Sequence, residues 1–230
     1  MKHLFIGLDV HKKSWSVTIQ EGQTVLKRFS MEANADSLIH YVQKHYPNYE
    51  VECCYESCCL GYHIYRDLSA VGWRVLVVNP GDIPRINKQS SSKTDKIDSR
   101  YLCQQLAAGH LKGIYVPDVK QEQFRSLFRR RNDLVKNLRR IKSHIKGMLL
   151  YYGISIPEPY DNANWSKAFL QWLTKIKWTY ASAGETLKSR LHEYAFLHKE
   201  YLHVSNELRS FARNNYKTDY YLLRSVPGVG

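Results

Sequence analysis

The run Leu4-Phe5-Ile6-Gly7-Leu8-Asp9-Val10 constrains this chain more than any other stretch, because it reads as a buried strand yet carries one carboxylate near its end with nothing local to neutralise it. An acid in that setting must be paired, hydrogen-bonded or metal-bound. Its partners must come from elsewhere in the chain. Three further acids stand in suitable contexts: Glu56, at the end of a second apolar run, and Asp95 and Asp98, three residues apart in KTDKIDSRYL.

The elements around these acids follow from periodicity and turn residues. Residues 4–10, 14–20 and 24–31 read as three strands, with His11-Lys12-Lys13 and Glu21-Gly22-Gln23 as the turns of an antiparallel meander. In the second strand Trp15, Val17 and Ile19 alternate with Ser14, Ser16, Thr18 and Gln20, the pattern of a half-buried strand. Asn34 caps a helix carrying Leu38, Ile39 and Val42, which ends before Pro47. A strand over 50–56, a helix over 61–71 and a nearly continuous apolar strand over 73–78 complete the order β-β-β-α-β-α-β. The last of these is typical of a parallel strand covered on both faces. Residues 82–93 form a polar loop, and a helix starts at Thr94 with Ile97, Tyr101, Leu102 and Leu106 at helical spacing.

The chain of 230 residues has a formal net charge of +13, and the excess is concentrated. Residues 120–150 hold 10 Lys and Arg against 2 Asp and Glu. The same stretch carries Leu134, Leu138, Ile141, Ile145 and Met148 at steps of four and three, extended upstream by Phe124 and Leu127, a coiled-coil-like seam. Arg125, Arg129, Arg130, Lys136, Arg139, Arg140 and Lys146 lie largely outside that seam. A solvated bundle face mixes signs, whereas this one is almost wholly positive, so a polyanion is expected, nucleic acid before membrane. Pro157 and Pro159 mark a connection over 151–164. A short helix follows, and then a second long one over about 184–213 with apolar residues every three or four positions from Leu187 to Phe211. The two long helices can pack as an antiparallel hairpin or pair with a second copy.

No signal peptide pattern opens the chain, so a cytoplasmic protein is expected. Of five cysteines, Cys53, Cys54, Cys58 and Cys59 form a CC-x3-CC cluster without zinc-ribbon spacing. The favoured reading is small buried hydrophobes in a reducing compartment.

Phosphodiester chemistry needs a divalent cation to neutralise charge on the transferring group, and two ions about 4 Å apart can clamp both attacking and leaving oxygens. Hard carboxylate oxygens suit Mg²⁺ or Mn²⁺. Asp9, Glu56, Asp95 and Asp98 could supply them, the last two facing one way at i, i+3 on a helix. Singly, each acid has a plainer reading. Asp9 could end a strand, Glu56 could be an ordinary exposed acid, and Asp95 and Asp98 could be first-turn acids favoured by the helix dipole.

The stretches IGLDVHKKSWSVTI, YESCCLGYHIYRDLSAVGWRVLVVNP and SSSKTDKIDSRYL resemble the DEDD transposases of bacterial insertion sequences, the serine-dependent recombinases associated with a bridge RNA, and SVPGVG resembles the start of their C-terminal transposase domain. The resemblance implies an α/β, RNase H-like (RuvC-like) mixed sheet with flanking helices in residues 1–115, a helical, coiled-coil region in 116–220, and the start of the C-terminal domain in 221–230. It implies Asp9, Glu56, Asp95 and Asp98 as catalytic metal ligands for Mg²⁺ or Mn²⁺, and metal-dependent cleavage and exchange of donor and target DNA directed by a structured guide RNA. It also implies a serine nucleophile beyond Gly230, with none in this chain.

Lys93, Lys96 and Arg100 flank the acids and are expected on the scissile strand's phosphates, while the basic helix grips RNA or DNA backbone. A homodimer or tetramer is expected from the apolar seams. The alternatives are a RuvC-like Holliday-junction nuclease, an actin-like or sugar-kinase ATPase, and, for this chain by itself, a non-catalytic RNA-binding dimerisation module. Ser57-Cys58 and Ser99 depart from the small residues common after the family's second and fourth acids.

Overall fold

The computed structural model describes residues 2–84, 95–162 and 164–228, the side chains of 95–98 excepted. Within these the chain forms two compact units, Met1–Val116 and Pro117–Gly230.

The first unit is built on a five-stranded sheet. β1 (Lys2–Val10), β2 (Ser14–Glu21) and β3 (Thr24–Glu32) form the antiparallel meander, with Gly22 at φ 53° in its second turn. β4 (Tyr49–Glu56) pairs parallel with β1, and β5 (Arg74–Val78) parallel with β4, giving the order β3-β2-β1-β4-β5. The crossovers are α1 (Ala35–His45) and α2 (His63–Ala70). Asn34 caps α1 by accepting from the Ser37 N–H at 2.9 Å. Gly61, at φ 70°, stays outside α2, which shortens that helix relative to the expected 61–71.

Alternation sorts β1 into two faces. Leu4, Ile6 and Leu8 are fully buried and share a cluster with Leu38 and Val42 of α1, Ile64 and Leu68 of α2, and Tyr55 of β4. Each such side chain contributes about 1.5–3 kcal/mol by leaving water. The Tyr55 hydroxyl accepts from the Tyr65 N–H at 3.2 Å, the partner a buried phenol requires.

The opposite face is covered by α3 (Asp95–Ala107), and here the half-buried reading of β2 fails. Ser16, Thr18 and Gln20 are buried much as Val17 and Ile19 are. The reason is local: Thr18 Oγ1 and Ser99 Oγ of α3 share a hydrogen bond at 3.0 Å, so the polar side of the strand has a polar lid. Beyond β5, Gly113 bridges Val78, and Ile114 N–H donates to Val77 O at 2.7 Å, which covers the sheet's outer edge.

The second unit is helical. α4 (Val119–Tyr151) is capped by Asp118, whose carboxylate accepts from Gln121 N–H at 2.6 Å. α5 (Lys167–Thr174), α6 (Ala181–Asn215) and α7 (Lys217–Arg224) follow. Phe124 stacks on Phe211, Arg131 reaches Tyr201 and Ser205, and Arg190 donates to the His144 carbonyl. Residues rising along α4 therefore meet residues falling along α6, and the two long helices make an antiparallel hairpin within one chain. The seam residues Leu134, Leu138, Ile141, Ile145 and Met148 are all buried, with Phe169 and Leu173 of α5 completing their core. Among the described residues, no helix is long and apolar enough to cross a membrane.

Candidate functional site

Asp9 and Glu56 end neighbouring parallel strands. The β1–β4 register runs to Leu8 opposite Tyr55, and continuing it by one residue sets Asp9 beside Glu56 on strands about 4.8 Å apart. Their shared face follows from the same alternation. Gly7 packs against Ser99 and Cys103 of α3, and the Cys54 thiol donates to the Leu102 carbonyl at 3.5 Å. Two residues further along each strand, the acids belong to that α3 face.

The Asp9 side chain is only 17% exposed, and its Oδ2 lies 3.5 Å from His11 Nε2 across the turn after β1. Across β1 on the other side, Asp9 pairs with Ser16 of β2.

Asp95 and Asp98 begin α3, but their side chains, and that of Lys96, lie outside the described residues, as does Lys93 altogether. The path of the helix is nevertheless informative. Cys103 packs on Gly7 and its thiol reaches the Phe5 carbonyl at 3.2 Å, while Ser99 lies against Gly7 and Thr18. α3 thus has its N-terminal end toward the C-terminal end of β1. Ser99 directly follows Asp98, and Gly7 is two residues, about 7 Å along a strand, from Asp9. Arg100 is exposed.

The donor set fits a hard divalent cation, since it consists of two carboxylates at the same end of adjacent strands, and carboxylate oxygens are the ligands such ions prefer. Among the described residues, which exclude the side chains of Asp95 and Asp98, no three possible ligands gather in one place. A cleft of about 780 Å³ in this unit opens elsewhere, between His3, Glu50, Glu52 and Arg74 at the opposite ends of the strands.

Cys53, Cys54 and Cys103 are buried and inert, their thiols pushed well up by burial, Cys103 to about 12. Cys58 and Cys59 are exposed, which corrects the expectation that the whole cluster is buried. They follow the end of β4, where the pleat that buries Cys53 and Cys54 has stopped.

On α4, Arg129, Arg130, Lys136, Arg139 and Arg140 are exposed. Arg125 is half-buried, and Lys146 is shared with Asp161 at 3.4 Å and the Asn162 carbonyl at 3.5 Å. Periodicity gives no special place to Arg131 and Lys142, yet both have one. Arg131 lies over the Tyr201 ring, and Lys142 over the rings of Trp165 and Tyr194. Their signal is tertiary, since the rings come from α6 and the segment before α5.

The family profile DEDD_Tnp_IS110, described as a transposase, matches residues 6–154. The chain is 30% identical over 176 residues to a putative transposase, y4qE, of Sinorhizobium fredii, an alignment covering 75% of this chain and 44% of that protein. It is 24% identical over 234 residues to the transposase for insertion sequence element IS1533 of Leptospira borgpetersenii, covering 99% and 66%. It is 25% identical over 231 residues to the transposase for insertion sequence element IS1328 of Yersinia enterocolitica, covering 98% and 64%. The chain therefore spans about half to two thirds of the length of these relatives.

Proposed function

Because the chain belongs to the DEDD_Tnp_IS110 transposase family, we propose that it carries the acidic half of an insertion-sequence transposase that cleaves and exchanges DNA strands with a divalent cation. The observation that supports this most is the pair of carboxylates, Asp9 and Glu56, at the ends of adjacent parallel strands on the face that α3 crosses. In this reading Asp9, Glu56, Asp95 and Asp98 together hold Mg²⁺ or Mn²⁺. Such a cation, when bound, neutralises charge on the phosphoryl group and lowers the pKa of the attacking oxygen. The chain's own task is to orient the acids. Gly7 and Ser99 set the height of α3 above β1, and the Thr18–Ser99 hydrogen bond sets its rotation.

Lys93, Lys96 and Arg100 contact phosphates of the strand being cut, and the exposed cations of α4 grip nucleic-acid backbone, donor or target DNA or a structured guide RNA. A serine nucleophile comes from the part of the relatives' length that this chain does not span. The working unit is a homodimer or tetramer, for which Phe128 on α4 and Phe196 on α6, each more than half exposed, offer apolar surface.

The test is excision by the full-length transposase. Asp9→Asn and Asp98→Asn each abolish it while leaving the protein folded. Retained excision in either variant removes that residue from the mechanism, and activity indifferent to chelation of divalent cations removes the metal.

A further inference from the structure

The helical unit holds a cleft of about 470 Å³, and its composition is selective. Its lining includes Arg139 and Lys142 of α4, Trp165 before α5, and Tyr194, His198 and Tyr201 of α6, and among the described residues it includes no carboxylate. That volume lies within the roughly 300–1,000 Å³ typical of small-ligand sites. The rings are ordered as a platform. Trp165 and Tyr194 have centroids 4.9 Å apart, and Tyr194 stacks on His198 at 5.8 Å with planes 19° apart. His198 is exposed, so the stack ends on a ring open to solvent.

Lys142 lies over the rings that line the cleft, and Arg131, also on α4, lies over Tyr201. Lys142 Nζ is 5.5 Å from the Trp165 centroid and 5.8 Å from that of Tyr194, and the Arg131 guanidinium is 5.2 Å from the Tyr201 ring. Burial first, and then the neighbouring Lys146 charge, lower the Lys142 pKa. An ammonium partly withdrawn from water, with no carboxylate lining its cleft, gains a counter-charge from an incoming anion. Aromatic faces, which stack any base, combined with cations, which neutralise phosphate, are the recognition chemistry of unpaired nucleic acid.

We propose that this cleft binds an unpaired nucleotide of a single-stranded or looped segment, its base extending the Tyr194–His198 stack and its phosphate held by Lys142 and Arg139. A paired base cannot enter, because its faces are covered by its neighbours in the duplex. The proposal rests on the nucleic-acid reading above but is independent of the acids: an oligonucleotide binds here whether or not Asp9 functions.

The experiment measures binding of fluorescently labelled oligo(dT), oligo(rU) and a fully paired duplex to the intact chain, with Lys142→Gln and the exposed His198→Ala compared with wild type. Each substitution weakens single-strand binding about 5- to 100-fold, the range for loss of one stacked or neutralised nucleotide, and leaves duplex binding unchanged. Preference for oligo(rU) identifies RNA as the source of the nucleotide, and preference for oligo(dT) identifies DNA. Unchanged single-strand binding, or an equal loss on duplex, overturns the proposal. Photo-crosslinking of a 4-thiouridine oligonucleotide gives a second readout on wild type: adducts on Trp165 or on residues 194–201 support the cleft, and adducts confined to other segments overturn it. Asp9→Asn, which abolishes excision if the acidic site is as proposed, leaves every one of these binding results unaltered.

Discussion

Gly7 and Ser99 are in such close approach that a β-carbon on Gly7 would overlap the Ser99 carbonyl oxygen and crowd the Cys103 N–H. The obstacle is helix backbone, which cannot swing aside as a side chain would. Gly7→Ala therefore lifts α3 off β1 and costs about 1–3 kcal/mol, toward the upper end because two backbone groups are in the way. In a chain of this length each kcal/mol lowers Tm by about 2–4 °C. Thermal denaturation checks the loss, and excision by the full-length protein falls with it, since the helix that moves begins with Asp95 and Asp98.

The Thr18–Ser99 hydrogen bond is buried on both sides, so its two ends should behave non-additively. Ser99→Ala leaves the Thr18 hydroxyl in the interior without this partner, at a cost of about 1–3 kcal/mol. Thr18→Val in the Ser99→Ala background replaces that hydroxyl by a methyl and recovers much of the loss. A double-mutant cycle by chemical denaturation reads the coupling, and strict additivity would show that the bond contributes nothing.

Much of this arrangement can be read from residue order, and the part that cannot has a physical cause. The succession of elements along the chain, the Asn34 cap and the α4 seam follow from local periodicity and capping chemistry, which depend on residues a few positions apart. The burial of Ser16, Thr18 and Gln20 does not, because alternation assigns polar residues to water and only the distant Ser99 reveals that a helix lies over them. For the site, Asp9 and Glu56 are legible as acids on apolar strands, whereas their adjacency depends on the parallel pairing of β1 with β4, which are separated in sequence by two strands and a helix. The Lys142 platform is invisible for the same reason: a lysine at that position reads as one more cation until Trp165 and Tyr194 are folded against it. α7 has no clear sequence signature either, because the eight residues between Tyr216 and Ser225 carry too short an apolar pattern to distinguish a helix from a connection.

The five thiols divide by burial. Cys58 and Cys59 are exposed and react with a thiol reagent in the folded protein, while Cys53, Cys54 and Cys103 remain protected until the unit unfolds. Burial raises the Cys103 pKa to about 12 from an ordinary value of 9.0, so between these values the unfolded chain has lost a proton that the folded one keeps. This contribution to stability is complete below about pH 9 and is lost as pH rises toward 12, with Cys53 and Cys54 acting in the same direction. Denaturation midpoints measured across that window fall with pH, and a Cys103→Ala variant falls less steeply.

Cations on α4 that look alike in sequence divide into two kinds. Arg129, Arg130, Lys136, Arg139 and Arg140 are exposed, so changing all five to Gln alters folding stability by no more than about 0.5 kcal/mol each. Their effect is on nucleic-acid binding: the slope of log K against log salt becomes shallower by about 0.7–0.9 for every phosphate that is no longer neutralised. Arg131 is the opposite case. Its Nη2 donates to the Tyr201 hydroxyl at 3.1 Å and its Nε to Ser205 Oγ at 3.3 Å, tying α4 to α6 in the middle of the hairpin. Arg131→Ala costs about 1–3 kcal/mol of hairpin stability, because Ser205 is buried and loses its donor. Salt titrations and thermal melts on both variants separate the roles. A salt slope unchanged by the five-fold substitution would remove the exposed face of α4 from the nucleic-acid interface, whatever Arg131 does for the fold.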